Sequence, residues 1–151
     1  MVSNGRNHDA PQAPADLERL WELCWHPVCT LAELRAQAPH PLAVTLLDRS
    51  LAIADLGTAA GGAPAPVAFI DRCPHRSTRL SVGWIEPPDA AGEPASLRCA
   101  YHGWRYGSDG HCFDVPAMPD GPIPPRACAQ SFDAEIAYDL VWVRIDPAGG
   151  T

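Results

Sequence analysis

Two short stretches decide the fold of this chain, Cys73-Pro74-His75-Arg76 and Cys99-Ala100-Tyr101-His102-Gly103-Trp104. Each places a cysteine two or three residues before a histidine, among Pro, Gly and aromatic residues that favour tight loops. Neither spacing lets one loop wrap a metal alone. Two such loops side by side can place both sulfurs on one metal and both imidazoles on another.

This donor set suits a [2Fe–2S] cluster with mixed ligation, in which two His replace two Cys on one of the irons. Cys73 and Cys99 then hold the inner, buried iron, and His75 and His102 hold the outer iron nearer solvent. The same four residues could bind one zinc ion, and an unrelated pairing by chance is a further alternative. The neighbouring residues in both stretches favour the cluster, so we predict a protein that moves single electrons.

The composition fits one domain of 151 residues, of which 46% are hydrophobic. The 17 Pro and 12 Gly predict many turns and short strands rather than long helices. A net charge of −7 disfavours nucleic-acid binding; it suits docking to a basic redox partner, or plain solubility. No apolar run has membrane-spanning length and no signal peptide is evident, so the cytoplasm is the expected compartment.

Four cysteines remain outside the two stretches, namely Cys24, Cys29, Cys112 and Cys128. Cys24 and Cys29 could form a metal or redox pair. Because free Cys is among the most buried residue types, we favour buried, structural roles for all four.

The local patterns predict a mostly antiparallel β-domain that begins with short helices. One helix is expected over 16–25, capped by Asp16, and a helical turn over 31–36, opened by a capping box from Thr30 to Glu33. A tight turn is predicted at Asp48-Arg49 and a loop over 57–66. Extended segments are predicted at 42–47, 50–55, 67–71, 96–100, 104–106, 111–115, 131–138 and 141–145.

From Trp21 to about Pro147 the chain resembles the N-terminal Rieske domain of Rieske non-haem iron oxygenases, the aromatic-ring-hydroxylating type. The matching text is WHPVC, DRCPHRSTRLSVGW, LRCAYHGWRYGSDGHC, IPPRA and YDLVWVRID. The resemblance implies that Cys73, His75, Cys99 and His102 bind the cluster. It also implies an antiparallel β-sandwich with a small two-loop cluster-binding subdomain. We predict this Rieske domain over 16–147. Residues 1–15, which are polar with Pro and Ala, are expected to be a flexible tail, and 148–151 a second tail.

Two departures from related proteins refine this expectation. High-potential respiratory Rieske proteins carry a disulfide between the cluster loops and a Ser beside the cluster; Thr78, Tyr101 and Trp104 stand at those positions here. Fewer hydrogen bonds to the sulfurs predict a potential toward the low end of the roughly −150 to +300 mV Rieske range. The spacing between His75 and Cys99 exceeds the usual one, and 86–95 is either a tolerated surface insertion or a contact for a redox partner.

Four further residues are expected around the cluster. Tyr101 and Trp104 are predicted to shield it from water, and Tyr106 to hydrogen-bond near a cluster sulfur; plain core packing is the alternative for all three. Arg76 is expected either to anchor its loop or to meet an acidic group of a partner. The Pro-rich stretch 116–125 is predicted to form a third loop covering the cluster.

The sequence contains no recognisable second iron site, because His8, His26, His40 and His111 lack the spacing of a two-His, one-carboxylate triad. We therefore expect an electron-transfer subunit that passes electrons from a flavin-dependent reductase or ferredoxin to a separate non-haem iron oxygenase catalytic subunit. The alternatives are a free-standing Rieske ferredoxin, an N-terminal fragment of a full-length oxygenase, and a non-redox scaffold with a structural metal.

Overall fold

The computed structural model of the chain describes residues 15–145. The predicted tails, 1–15 and 148–151, lie outside this range except for Ala15, and so does His8. The capping role expected of Asp16 also falls outside the described side chains.

Two antiparallel sheets form the domain, as the sequence predicts. A six-stranded sheet has the order β1-β10-β9-β4-β3-β2, and a four-stranded sheet has the order β5-β6-β7-β8. The strands are β1 (Trp25–Thr30), β2 (Leu42–Leu46), β3 (Arg49–Asp55), β4 (Pro66–Ile70), β5 (Trp84–Glu86), β6 (Ser96–Arg98), β7 (Arg105–Tyr106), β8 (Cys112–Asp114), β9 (Ser131–Ala137) and β10 (Leu140–Arg144).

Three short α-helices accompany the sheets: α1 (Ala15–Leu23), α2 (Leu31–Gln37) and α3 (Leu56–Ala59). The capping box predicted for α2 is confirmed, since Thr30 and Glu33 exchange side-chain to backbone hydrogen bonds. The first part of the loop predicted over 57–66 is instead helical, because α3 extends to Ala59 and the loop follows it. The Asp55 carboxylate caps the first turn of α3 and accepts a hydrogen bond from the Thr58 N–H at 3.1 Å. No helix in the described range is long and apolar enough to cross a membrane.

The prediction that α1 extends to Trp25 is wrong. Trp25 pairs with Arg144 of β10, so the chain is already extended there and β1 runs along the edge of the large sheet. Sequence patterning missed this strand because Pro27 interrupts it. Proline is tolerated on an edge strand, because the side that lacks the N–H can face solvent and no hydrogen bond to a neighbouring strand is lost.

The β2–β3 hairpin turns one residue earlier than predicted, at Leu47-Asp48. Both residues have positive φ (47° and 61°), as a tight two-residue hairpin requires. Arg49 therefore belongs to β3, opposite Leu46, and its guanidinium lies 2.6 Å from the Glu22 carboxylate of α1. This ion pair connects the first helix to the hairpin.

The closing β9–β10 hairpin has the predicted inward face. Val141, Val143 and Ile145 are fully buried beneath the large sheet. A second core lies between the two sheets and includes Phe69, Leu97 and the thiols of Cys73, Cys99 and Cys112. Of the four cysteines predicted to be buried outside the two stretches, Cys112 is buried and Cys29 and Cys128 are half-buried. The prediction is wrong for Cys24, which is exposed.

Candidate cluster-binding site

The first loop leaves the end of β4 and is closed by two backbone hydrogen bonds around Cys73. The Cys73 N–H donates to the Thr78 carbonyl at 2.8 Å, and the Ser77 N–H donates to the Cys73 carbonyl at 2.9 Å. The chain reverses through Ser77, whose φ is 60°. The loop therefore holds Cys73 at a buried neck, with His75 nearer its tip.

The second loop joins β6 to β7 and repeats the same backbone pattern. The Cys99 N–H donates to the Trp104 carbonyl at 2.9 Å, and the Gly103 N–H donates to the Cys99 carbonyl at 3.1 Å. Gly103 has a φ of 73°, like Ser77 in the first loop. The two loops are thus near-copies in backbone although their Cys–His spacings differ.

The two thiols meet inside the core. Cys73 and Cys99 are 2% and 1% exposed. The interaction between the two thiols lowers the pKa of Cys73, against the opposing effect of burial, and raises the pKa of Cys99. The backbone N–H groups of His75 and Arg76 lower the pKa of Cys73 further. These donors favour a thiolate, the form that binds metals.

The two imidazoles lie together at the surface side of the thiols. The ring centroids of His75 and His102 are 4.6 Å apart; His102 is exposed and His75 is half-buried. The Nδ1 atom of His75 is buried and has no hydrogen-bond partner within residues 15–145. An unpartnered buried ring nitrogen is costly, and a metal ion is a partner of the right chemistry.

The donor set divides into pairs. Among residues 15–145, no three His, Cys, Asp or Glu side chains converge on a point that one ion could occupy. Two thiols and two imidazoles, each meeting as a pair, are the donor set of a two-iron cluster in which each iron takes two protein ligands.

Trp104 and Tyr101 occupy different environments. The Trp104 indole stacks on His75 with centroids 4.4 Å apart and an interplanar angle of 6°, which connects the second loop to the first. The Tyr101 ring lies 3.8 Å from that of His102, but the residue is 63% exposed. Trp104 can therefore shield an imidazole from water, whereas Tyr101 covers His102 from one side only.

Tyr106 lies fully buried below the loops, and its hydroxyl is 3.1 Å from the Cys73 sulfur. Burial, together with the hydrogen bond to Cys73, raises the pKa of Tyr106 above its ordinary value. The phenol keeps its proton, so Tyr106 is the donor when Cys73 is a thiolate.

The Arg76 side chain is exposed and has no ion-pair partner in the described range. Loop anchoring is carried out by its neighbour Arg72, whose Nε donates to the Ser77 hydroxyl at 2.9 Å.

Sequence reasoning missed Asp71, which closes the base of the first loop. Its buried carboxylate accepts hydrogen bonds from the Ser81 N–H at 2.6 Å, the Ser81 hydroxyl at 2.7 Å and the Arg79 Nε at 2.9 Å. The only sequence signal is an acidic residue directly before a loop rich in arginine.

The two ends of segment 86–95, the predicted insertion, hold the base of the second loop. Glu86 lies 2.7 Å from Arg98 and 3.1 Å from Arg105, the residues that flank this loop, and Glu93 also pairs with Arg105. Burial raises the pKa of Glu86, but hydrogen bonds from Arg98 and Trp84 outweigh it and lower the pKa overall. The insertion is therefore fixed to the site at both ends.

The Pro-rich stretch 116–125 packs against the second loop. A Cβ on Gly103 would lie 3.1 Å from Pro116 Cγ, so this proline packs directly against the second loop. Pro124 and Arg126 line a cavity of about 270 Å³ together with His75 and Trp104.

The other imidazoles in the described range bond locally. His26 Nε2 lies 2.7 Å from the Trp21 carbonyl, and His40 Nδ1 lies 2.7 Å from the Gly83 carbonyl. His111 lies 3.3 Å from the Asp109 carboxylate next to it in the same turn. None joins the four candidate ligands.

Comparisons with known proteins give consistent matches. The family model described as "Rieske [2Fe-2S] domain" matches residues 24–132. Methylxanthine N3-demethylase NdmB of Pseudomonas putida is 46% identical over 125 residues, covering 81% of this chain and 33% of the relative. Methylxanthine N1-demethylase NdmA of the same organism is 45% identical over 125 residues, covering 81% and 32%.

A solved structure extends the likeness to three dimensions. The NdmA QL mutant of Pseudomonas putida CBB5, solved with caffeine, superposes with a TM-score of 0.74 at 42% identity. The match covers 87% of this chain and 36% of that one. The chain thus spans about a third of the length of the curated relatives it matches.

Proposed function

The chain belongs to the Rieske [2Fe–2S] domain family, which carries electrons in Rieske oxygenases, and from this we propose how the domain holds and uses its cluster. Cys73 and Cys99 bind the inner iron and His75 and His102 bind the outer iron. The domain then passes single electrons from a reductase to a separate non-haem iron oxygenase catalytic subunit.

The observation that carries this proposal is the layering of the donor set. Two buried thiols lie beneath two imidazoles, one of which is exposed, and the buried His75 Nδ1 lacks any other partner in the described range. When bound, the cluster supplies a one-electron redox couple. The protein then holds the sulfur side in a dry core and presents the imidazole side to solvent.

The surrounding residues have distinct tasks in this scheme. Tyr106 donates a hydrogen bond to the Cys73 sulfur and so stabilises added negative charge there. Trp104 keeps the His75 ring in place by stacking and limits water on one side. His102, as the exposed imidazole, provides the shortest route for an electron to a partner.

The proposed donor is a flavin-dependent reductase or a ferredoxin, and the proposed acceptor is the iron of an oxygenase. The relatives named as demethylases support an oxygenase acceptor. A second arrangement is favoured by their threefold greater length: the Rieske domain and the catalytic domain as parts of one polypeptide. In both arrangements His75 and His102 face the acceptor.

The ligand assignment is tested by reconstituting the domain with iron and sulfide. We expect a visible absorption spectrum and an EPR signal after dithionite reduction that are typical of a Rieske cluster. Cys73→Ser should bind little or no cluster, and His102→Cys should keep a cluster with lower potential and changed EPR. The buried Cys112 offers the control, because Cys112→Ser should retain the normal spectrum. A normal spectrum for Cys73→Ser would contradict the assignment.

The acceptor is tested by electron transfer between purified proteins. The neighbouring genes supply the candidate catalytic subunit, which is co-expressed with the tagged domain. Stoichiometric co-purification and reoxidation of the reduced domain by that subunit support two polypeptides. If the native transcript instead encodes both domains in one frame, the one-polypeptide arrangement replaces it. A colourless, zinc-loaded domain prepared with iron available would remove both.

A further inference from the structure

We propose that Arg98 positions a positive charge beside the second cluster loop, where it favours reduction of the cluster, and that Glu86 counteracts this charge. The second cluster loop is the stretch 99–104, which joins β6 to β7. This inference rests on the proposed function, because it names two residues outside the ligand set that adjust the redox equilibrium of the bound cluster.

The Arg98 side chain contacts the second loop from the strand that precedes it. Arg98 is the last residue of β6 and comes directly before the candidate ligand Cys99. A Cβ on Gly103 would lie 3.2 Å from Arg98 Nη2 and 3.3 Å from Arg98 Nε, so the guanidinium packs against this glycine. Gly103 directly follows the candidate ligand His102. The Arg98 charge therefore lies beside the loop that carries both ligands.

Two further contacts hold the guanidinium in this place. Arg98 Nη1 lies 2.7 Å from the Glu86 carboxylate, and Arg98 Cζ lies 5.4 Å from the centroid of the Trp84 ring. The Trp84 indole N–H donates to the same Glu86 oxygen at 3.1 Å, which fixes the carboxylate as well. A planar guanidinium that stacks on a ring and pairs with a carboxylate has little freedom to move away.

One donor of the guanidinium is left without a partner. Arg98 Nε is buried and forms no hydrogen bond within residues 15–145. A buried N–H that lacks an acceptor is costly, and negative charge added nearby reduces that cost. The electron that enters a cluster held by the second loop is such a charge. Arg98 therefore stabilises the reduced state more than the oxidised state.

Glu86 acts in the opposite direction. Burial raises the pKa of Glu86, but hydrogen bonds from Arg98 and Trp84 lower it overall, so the carboxylate is charged at neutral pH. Its negative charge opposes that of Arg98 and disfavours an added electron. The Arg98 and Glu86 side chains are 34% and 23% exposed, so solvent screens both charges in part and each effect is modest.

Midpoint potentials of cluster-loaded variants test the two opposing charges. Protein-film voltammetry measures them, with the electrode supplying the electron. We expect Arg98→Gln to lower the equilibrium constant for one-electron reduction at least about twofold, which corresponds to roughly 18 mV. Glu86→Gln should raise the potential, and the double variant should lie between the two single variants. If the pair only braced the loop, both single variants would shift the potential in the same direction or leave it unchanged, and either result would overturn the proposal.

Arg98→Lys separates the charge of Arg98 from its contacts. Lysine keeps the positive charge but lacks the planar fork that pairs with Glu86 and stacks on Trp84. We expect this variant to unfold at a lower urea concentration than the parent, while its potential shifts by less than half as much as that of Arg98→Gln. A shift of half that size or more would assign the effect to the contacts rather than to the charge, and would overturn the proposal.

Arg144 in the large sheet offers a matched control. Its Nε is likewise buried without a partner in the described range, its Cζ lies 5.2 Å from the centroid of the Trp25 ring, and it pairs with Asp133 at 2.6 Å. Arg144→Gln removes the same charge away from the second loop and should shift the potential by less than half as much as Arg98→Gln. A shift of half that size or more would mean that net charge alone matters, and the proposal would fail.

Absorption and EPR spectra of each variant separate the two proposals. A parent domain that binds no Rieske cluster contradicts the proposed function. Normal spectra combined with the wrong order of potentials contradict only the roles of Arg98 and Glu86.

Discussion

Ser77 and Gly103 occupy equivalent places in the two cluster loops: each lies four residues after a cysteine and donates its N–H to that cysteine's carbonyl. Both have left-handed backbone, with φ of 60° and 73°. This conformation lets each loop fold back so that the residue five positions after the cysteine can accept the cysteine N–H. One loop achieves the reversal with glycine and the other with serine.

Gly103→Ala should destabilise the domain by about 1–2 kcal/mol, because a side chain strains left-handed backbone. The new methyl group would also lie 3.1 Å from Pro116 and 3.2 Å from Arg98. Urea unfolding under anaerobic conditions, followed by tryptophan fluorescence, measures the loss.

Ser77→Gly is the matched comparison. Glycine relieves the backbone strain at this position, but it makes the unfolded chain more flexible and removes the hydrogen bond from Arg72. Because these effects oppose each other, the free energy of unfolding should change by no more than about 0.5 kcal/mol. A large loss in this variant with none in Gly103→Ala would show that backbone conformation does not control the loops.

Tyr106→Phe should lower the midpoint potential while the cluster remains bound. The Tyr106 hydroxyl donates to the Cys73 sulfur at 3.1 Å, and such a bond strengthens as negative charge is added. A difference of about 1 kcal/mol between the two redox states corresponds to roughly 40 mV for one electron. Protein-film voltammetry measures the shift, and an unchanged potential would exclude Tyr106 as a tuning residue.

Asp71→Asn should destabilise the domain by about 2–3 kcal/mol, since an amide cannot satisfy the three donors that converge on this buried carboxylate. The exposed pair of Asp133 and Arg144 provides the control. Asp133→Asn should cost no more than about 0.5 kcal/mol, as expected for a surface ion pair. Equal losses in urea unfolding would argue against a special role of Asp71 in the first loop.

Glu86→Gln should lower stability by about 1–2 kcal/mol at neutral pH, because Glu86 pairs with the arginines on both sides of the second loop. The pKa of Glu86 in the folded state lies below its ordinary value of 4.5. The unfolded chain therefore takes up the proton first as pH falls. The stabilisation is complete above pH 4.5 and disappears as pH falls through the lowered pKa.

The difference in unfolding free energy between the parent and Glu86→Gln should accordingly shrink below pH 4.5. Asp89→Asn in the same segment is the control, because the Asp89 carboxylate accepts hydrogen bonds from the Ala91 and Glu93 N–H groups of its own loop. A difference that grows in acid would reverse the assigned direction of the pKa shift.

Local chemistry made much of this fold predictable. The alternation of Val141, Val143 and Ile145 predicts a strand with one buried face, and Thr30 and Glu33 predict a capped helix because both interactions form within four residues. Each of the two loops contains a cysteine followed closely by a histidine among Gly and Pro residues. Because this pattern is typical of metal ligands, it predicts that the two thiols and the two imidazoles lie close together.

Interactions between distant segments were not predictable in the same way. The edge strand from Trp25 exists because β10, more than a hundred residues later, provides its partner. Asp71 and Glu86 gain their roles from Ser81 and Arg105, and no local pattern marks those pairs. The sequence pattern predicts the β2–β3 turn one residue too late, because the position of the turn depends on the pairing of Leu46 with Arg49.

The thiols of Cys73 and Cys99 belong to the same buried core as Phe69 and Leu97, which join the two sheets. Occupancy of the site and integrity of the fold are consequently linked: whatever binds these sulfurs in the native state also holds the sheets together. Under the proposed ligand assignment, loss of the cluster is a folding event rather than a local change at the site. Proteases act on opened molecules, so turnover in the cell would remove empty copies before loaded ones.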